Sequence, residues 1–138
     1  MIRILLVEPM SLLRCSLGTV LSTEDDLDVT AELARMDEAK LMAKAVRPDV
    51  AVIDIDVFNG ATANVAHELD RTLPDCATLV LADVDSHATL RAALDTHVRG
   101  FVGKDNTPQH IDHVLEILPG IVSRIRSLSP AWPERAAR

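Results

Sequence analysis

Short segments rich in Val, Ile and Leu recur along this chain at separations too wide for β-hairpins. Continuous apolar runs of this length are typical of strands that are covered on both faces, as in a parallel sheet. One further segment alternates apolar with polar residues, which favours a strand at the edge of the sheet. The continuous runs are Ile4–Val7, Val50–Ile55, Thr78–Ala82 and Gly100–Val102, and the alternating segment is Leu27–Ala31.

Between these segments the apolar residues follow the period of an α-helix. Pro9 is expected near the first turn of the first helix, and Asp37 is expected to cap the second. Pro48 and Pro74 should stop the second and third helices. The apolar stripes of the five predicted helices are Leu13, Leu17, Val20 and Leu21; Ala39, Met42, Ala43 and Val46; Val65, Ala66, Leu69 and Leu73; Leu90, Leu94 and Val98; and Ile111, Leu115 and Leu118.

A strand followed by a helix, five times over, predicts an α/β fold in which a right-handed parallel sheet carries helices on both faces. We expect residues 1–120 to form this domain. Pro119 and Gly120 should kink or end the fifth helix. Residues 121–138 are expected to form a helical extension followed by a linker-like tail.

The acidic charge balance argues against two classes of direct partner. The chain has 14 Lys and Arg against 21 Asp and Glu, which gives a net charge of −7 over 138 residues. Duplex DNA and anionic membranes both attract basic surfaces, so neither is an expected partner of this chain. Cys15 and Cys76 form neither a disulfide framework nor a zinc motif, and no segment predicts a signal peptide or a membrane span. We therefore expect a cytoplasmic protein.

Charged residues follow the predicted strands at their carboxyl ends, where open α/β sheets bind their ligands. Glu8 follows the first strand, Asp54 and Asp56 lie at the end of the third, and Lys104 follows the fifth. A carboxylate at the end of a buried strand, such as Asp54, needs a partner. Lys104 could be a structural ion-pair partner of Asp54, or both could belong to a functional site. Further acids at the same edge are Asp83, Asp85 and Asp105.

The order of these residues resembles the receiver domain of two-component response regulators. That family has an acidic residue after the first strand, an Asp that ends the third, and a Lys three residues after an aromatic residue of the fifth. Here these are Glu8, Asp54, and Phe101 with Lys104. The segments 47–54 (RPDVAVID), 99–105 (RGFVGKD) and 128–130 (LSP) are most similar to NarL/FixJ-type transcriptional regulators, and the resemblance covers roughly residues 2–120.

The resemblance implies a flavodoxin-like (βα)5 doubly wound parallel sheet with strand order 2-1-3-4-5. It implies phosphoryl transfer from a sensor histidine kinase to Asp54, with Lys104 in the site. It also implies Mg²⁺ as cofactor, bound by Glu8, Asp54 and Asp56, and a switch position at Phe101. A homodimer is the implied assembly, and any contact with DNA would be made through a C-terminal helix-turn-helix domain.

Three features depart from the family pattern. Pro9 stands where the family has a second acid, so one expected metal ligand is missing, and Glu8 is one methylene longer than the usual Asp. Ala82, at the other switch position, replaces a Thr or Ser whose hydroxyl would bind the phosphoryl group. The loop after Asp54 lacks the family's Met-Pro, although Asp56 could replace the ligand lost at Pro9.

Two functions remain open from the sequence. In the first, the chain is an atypical receiver that accepts a phosphoryl group on Asp54 and controls dimerisation or a DNA-binding output. In the second, it is a phosphorylation-independent pseudo-receiver, in which Glu8, Asp54, Asp56 and Lys104 form a fixed polar network and a ligand, a partner or the protein level sets the output. An enzyme is not expected, because the sequence has no P-loop, dinucleotide-binding or nucleophile-elbow motif.

Overall fold

The computed structural model describes residues 1–54, 71–83, 98–104 and 111–128. Within these ranges strands and helices alternate, and a short 3-10 turn precedes the second helix. The strands are β1 (Ile2–Val7), β2 (Leu27–Leu33), β3 (Val50–Asp54), β4 (Ala77–Asp83) and β5 (Val98–Lys104), and the helices are α1 (Ser11–Leu21), α2 (Ala39–Val46) and α3 (Ile111–Leu128).

The five strands form one parallel sheet in the order β2-β1-β3-β4-β5. This order confirms the predicted α/β fold class, and β2 lies at an edge as its alternating pattern indicated. The register aligns the carboxyl ends of the strands, since Val7 is the Cα partner of Ile53 and Asp83 is the Cα partner of Lys104. The ends of β1, β3, β4 and β5 therefore lie together at one edge of the sheet.

Both faces of the sheet are covered by apolar side chains. Along β1, Ile4 and Leu6 belong to one buried cluster, whereas Leu5 and Val7 belong to another, as the two-residue period of a strand requires. The first cluster includes residues of α1 and α3, and the second includes Ala39 of α2. Every residue of β3 is buried, which explains its continuous apolar sequence.

The first helix begins later than predicted. Pro9 lies in a bend, and the extended residue Met10 precedes the first helical residue, Ser11. Pro9 is therefore outside the first turn. A proline there restricts the backbone that enters the helix without removing any helical hydrogen bond.

The predicted cap of the second helix is also wrong. Asp37 lies inside the 3-10 turn that precedes α2 and forms an ion pair with Arg35. Glu38 occupies the cap position of α2, with no side-chain hydrogen bond to the helix. A carboxylate two residues from an arginine has a local alternative to capping, which the sequence pattern did not reveal.

Two further element boundaries differ from prediction. Val98 begins β5, whereas it was expected to continue the fourth helix. Arg71 and Thr72 are helical and Leu73 is not, so the third predicted helix ends just before Leu73, two residues short of Pro74. The remaining residues of the third and fourth predicted helices, 65–69 and 90–94, lie outside the described residues.

Helix α3 continues through Pro119 and Gly120, where the sequence predicted a kink or an end, and it does not end there. A proline inside a helix costs about 3 kcal/mol. Beyond it, Ile121, Val122 and Ile125 are buried in the cluster shared with α1 and β1, and burial of such a side chain contributes about 1.5–3 kcal/mol. Burial of these three residues offsets the cost, and residues 121–128 pack into the same core.

Candidate functional site

The predicted acids and lysine lie at the carboxyl edge of the sheet. Glu8 directly follows β1, Asp54 is the last residue of β3, and Lys104 is the last residue of β5. Asp83 ends β4, between the ends of β3 and β5. The parallel order of the strands thus brings together residues that are far apart in the sequence. Asp56, Asp85 and Asp105 lie outside the described residues.

Glu8 is buried, and hydrogen bonds engage its backbone and one of its carboxylate oxygens. Only 2% of its surface is exposed. Its carboxylate Oε1 accepts a hydrogen bond from the backbone N–H of Met10 at 3.0 Å. Its own N–H donates to the carbonyl of Leu33 at 2.9 Å, and its carbonyl accepts from Nη1 of Arg14 at 2.8 Å. One carboxylate oxygen of Glu8 therefore stabilises the turn into α1, where a negative charge also favours the helix N-terminus.

Asp54 has no exposed surface. It ends a strand that is buried throughout, and its Cα partner in β4 is Leu81. A carboxylate in such a position must be compensated, and Asp54 is engaged in a polar or electrostatic contact in the structure.

Two positions that the family uses for signalling lack the expected polar atoms. Pro9 is exposed in a bend between Glu8 and α1, and the only oxygen that it offers is its backbone carbonyl. Ala82 is the Cα partner of Gly103 near the ends of β4 and β5, so neither residue of this pair carries a hydroxyl. Phe101, in the middle of β5, is the Cα partner of Val80 and lies two residues before Gly103.

The described donors at this edge supply only part of a Mg²⁺ site. Glu8 and Asp54 are oxygen donors of the right kind, but one oxygen of Glu8 is bound to the Met10 amide and Pro9 adds no side-chain ligand. Mg²⁺ requires near-octahedral oxygen geometry, of which proteins usually supply one or two carboxylates and water supplies most of the rest. Within residues 1–54, 71–83, 98–104 and 111–128, no group of three or more His, Cys, Asp or Glu side chains is placed to hold a metal ion.

Curated proteins are similar to this chain in sequence. The chain is 30% identical over 105 residues to the DNA-binding transcriptional activator DevR/DosR of Mycobacterium tuberculosis, which covers 76% of this chain and 48% of the relative. It is 26% identical over 115 residues to the transcriptional regulatory protein DesR of Bacillus subtilis, or 83% of this chain and 57% of the relative. This chain is a response-regulator receiver domain. The receiver spans about half the length of these relatives, and no protein-family model matches it.

Solved structures show the same fold for this receiver. The response regulator domain of Thermotoga maritima CheB has a TM-score of 0.79 at 20% identity, covering 92% of this chain and 95% of that one. A DNA-binding response regulator of the LuxR family from Staphylococcus aureus has a TM-score of 0.66 at 15% identity, covering 88% and 98%. At these identities the likeness establishes the fold of the receiver.

Sequence reasoning missed the residues that fix Glu8. Arg14 donates a hydrogen bond to the backbone carbonyl of Glu8, and the Met10 amide donates one to its carboxylate. An arginine six positions after an acid at a strand end is a weak signal, and a backbone amide gives none.

Among the described helices of the receiver, none combines the length and apolar character needed to cross a bilayer.

Proposed function

We propose that this receiver is a phosphorylation-independent regulatory module, whose state is set by a bound partner or ligand. The observation that carries this proposal is the hydrogen bond between Glu8 Oε1 and the Met10 amide at 3.0 Å. The acid that would help to hold a metal ion instead stabilises its own loop. Pro9, the next residue, offers no carboxylate in its place.

The chemistry of phosphoryl transfer supports the same proposal. The transferred group carries negative charge on its oxygens, which a receiver must neutralise with a cation and with hydrogen-bond donors. Ala82 provides no hydroxyl, and Asp83 adds a further acid to the same edge. Full burial of Asp54 adds a barrier to any phosphodonor. A receiver with these residues is expected to be a poor phosphoacceptor.

A direct labelling experiment tests the proposal. The protein is incubated with phosphoramidate or acetyl phosphate in the presence of Mg²⁺, beside an ordinary receiver as positive control, and both are analysed by intact mass. We expect no phosphoryl adduct on this chain under conditions that label the control. An adduct that Asp54→Asn abolishes would contradict the proposal.

A gain-of-function variant tests whether the missing acid and the missing hydroxyl cause the lack of labelling. Pro9→Asp combined with Ala82→Thr restores the missing acid and the missing hydroxyl, and we expect it to acquire labelling at Asp54. The matched control, Pro9→Leu with Ala82→Val, makes changes of similar size without adding oxygen atoms and should stay unlabelled. Labelling of both double variants would show that the loop backbone, and not the lost ligands, limits the reaction.

Phosphorylation of Asp54 is the second candidate. It is favoured by the position of Asp54 and Lys104 at the ends of β3 and β5, which are separated by a single strand. A sensor histidine kinase would be the partner in that case, and Asp54→Asn would remove the response. The labelling experiment decides between the two candidates.

We also propose a transcriptional output for the protein of which this receiver is part. DevR/DosR is named as a DNA-binding transcriptional activator, and DesR as a transcriptional regulatory protein. A homodimer of the receiver would couple its state to such an output. Light scattering across a concentration series measures whether the receiver self-associates, and a monomer at all concentrations would contradict the dimer.

A further inference from the structure

A cavity lies at the amino-terminal edge of the sheet, opposite the edge of Glu8 and Asp54. Its volume is about 550 Å³, within the range typical of small-molecule sites. One wall is formed by the end of α2 and the turn at Pro48, and the other by residues 71–76. Val50 and Ala77, which begin β3 and β4, are Cα partners beside it. We name this feature the basic cavity.

The basic cavity concentrates positive charge in an acidic protein. Among the described residues, four cationic residues line it, whereas one acidic residue, Asp75, does so. The four are Lys40, Lys44, Arg47 and Arg71, from a chain whose net charge is −7.

Arg47 has a backbone conformation that is unusual for its residue type. It is the one non-glycine residue with positive φ among those described, at φ 47° and ψ 66°. Its N–H donates to the carbonyl of Ala43 at 2.9 Å and closes the C-terminus of α2. Glycine is the usual residue in this position, and another residue costs about 1–2 kcal/mol. The chain thus carries a cation at a position where backbone strain would favour glycine.

The C-terminus of α2 explains only part of this charge. A helix C-terminus carries about half a negative charge and favours one basic residue, which Lys44 in the last turn supplies. Asp75 at the wall and Asp49 nearby, which accepts a hydrogen bond from the Arg3 amide, offset two more positive charges. Against four cations, these contributions leave the described lining of the cavity net positive.

The lining also offers apolar surface. Leu73 is buried in the core cluster beneath the cavity, and Pro48 and Pro74 form part of the walls. No aromatic residue is among the described lining residues, so these offer no surface on which a base could stack. Recognition of a ligand therefore depends on its negative charge.

We propose that the basic cavity binds a small multivalent anion that carries phosphate groups, such as the phosphate chain of a nucleotide or a free polyphosphate. Several cations converging from two separate segments match a ligand with several negative charges better than a single ion. Arginine offers paired N–H donors to phosphate oxygens, and lysine contributes a point charge. The cavity volume admits a molecule of nucleotide size and excludes a folded protein domain.

Isothermal titration calorimetry at physiological salt tests this proposal with tripolyphosphate and ATP as probes. The test variant is Lys44→Gln with Arg47→Gly, which removes two cations and relieves the strained backbone. The matched control is Arg35→Gln with Arg124→Gln, which removes two exposed cations outside the cavity. Thermal unfolding of each variant verifies that it is folded.

We expect both probes to bind the wild type and the control alike, and the test variant to lose at least about tenfold in affinity, since each lost charged hydrogen bond is worth more than about 1.4 kcal/mol. Equal affinity for the two probes assigns recognition to the phosphate chain, and tighter binding of ATP assigns a share to the nucleoside. Absence of binding at millimolar probe overturns the proposal. An equal loss in the control, or tighter binding of an oligoglutamate peptide, also overturns it.

Alkylation of Cys76 provides a second measurement, because this half-buried residue lines the cavity and Cys15 does not. Bound tripolyphosphate should slow the alkylation of Cys76 and leave that of exposed Cys15 unchanged. Unchanged alkylation of both under saturating probe would place any binding elsewhere. The outcome is independent of the phosphorylation experiment, which concerns the opposite edge of the sheet.

Discussion

The guanidinium of Arg126 binds the carboxylate of Asp26 through two hydrogen bonds, from Nε to Oδ2 and from Nη2 to Oδ1, each at 2.8 Å. The same Nη2 also contacts Oε2 of Glu24 at 3.0 Å. These bonds join the last turn of α3 to the segment between α1 and β2, one hundred residues earlier in the chain. They fix the C-terminal end of α3 to the rest of the domain.

Removal of this ion pair should lower stability. The side chains of Arg126 and Asp26 are 30% and 25% exposed, so water screens their charges. With its two hydrogen bonds, the pair contributes about 1 kcal/mol to the free energy of unfolding. We expect Arg126→Ala to reduce the free energy of unfolding in urea by about that amount. Arg124→Ala, on the exposed side of the same helix, is the control and should have little effect. A double-mutant cycle with Asp26→Asn should give a coupling energy clearly above zero.

The same pair predicts a dependence on acid pH. The hydrogen bond from Arg126 holds the pKa of Asp26 below its ordinary value of 3.8. This contribution to stability is present above pH 3.8 and is lost as the pH falls through the lower pKa of the folded protein. The stability difference between wild type and Arg126→Ala should therefore shrink on acidification. A difference that grows as the pH falls would contradict this linkage.

The packing of α3 beyond Pro119 predicts the effect of a core substitution. Ile125 has no exposed surface and belongs to the cluster shared with α1 and β1. Ile125→Ala should lower the free energy of unfolding by about 2–4 kcal/mol, because it removes buried methyl groups and leaves a cavity. Ser123→Ala, at an exposed position of the same helix, should change it by less than about 0.5 kcal/mol. A loss under 1 kcal/mol for Ile125→Ala would mean that residues 121–128 pack only weakly.

Gly18 predicts a stabilising substitution within α1. A Cβ at this position would meet the carboxylate of Glu32, which is the flexible end of an exposed side chain and can move. Alanine is better than glycine in a helix by about 1 kcal/mol, so Gly18→Ala should raise the free energy of unfolding by about 0.5 kcal/mol after Glu32 moves. Gly18→Val, which is larger and β-branched, should lower it. A loss of stability in Gly18→Ala that Glu32→Ala does not reverse would contradict this account.

Cys76 predicts slow reaction with alkylating reagents. Burial, followed by the nearby charge of Asp75, raises the pKa of the Cys76 thiol from 9.0 to about 11. The reactive thiolate is therefore scarce at neutral pH, and the rate of alkylation by iodoacetamide should continue to increase up to about pH 11. Peptide mapping measures this rate, with exposed Cys15 as the internal comparison. A plateau of the Cys76 rate at or below pH 9 would contradict the raised pKa.

The strands were the most predictable part of the fold. Continuous β-branched runs such as 50–54 identify strands that are buried on both faces, and the sheet has the predicted order. Val98 was misassigned because it lies four residues after Leu94, a spacing that also fits a helix. Pro119 and Gly120 indicated a possible helix end, and only tertiary burial of the residues after them decides the outcome.

The two edges of the sheet differ in how far the sequence predicts them. Glu8, Asp54 and Lys104 were identified because each follows a recognisable strand, and the fold places them together. The role of Glu8 in its own loop depends on a hydrogen bond to a backbone amide, which no residue pattern encodes. The basic cavity was not predicted, because its cations come from segments more than twenty residues apart and no motif links them.

The basic cavity and the acids Glu8 and Asp54 lie at opposite ends of the strands, so the receiver presents local charges of opposite sign at these two places. Long-range fields of this kind orient two molecules before they touch. A basic surface is attracted to Glu8 and Asp54, whereas a free anion is attracted to the basic cavity. Ionic strength will therefore change how fast each of them associates more than how firmly it is held.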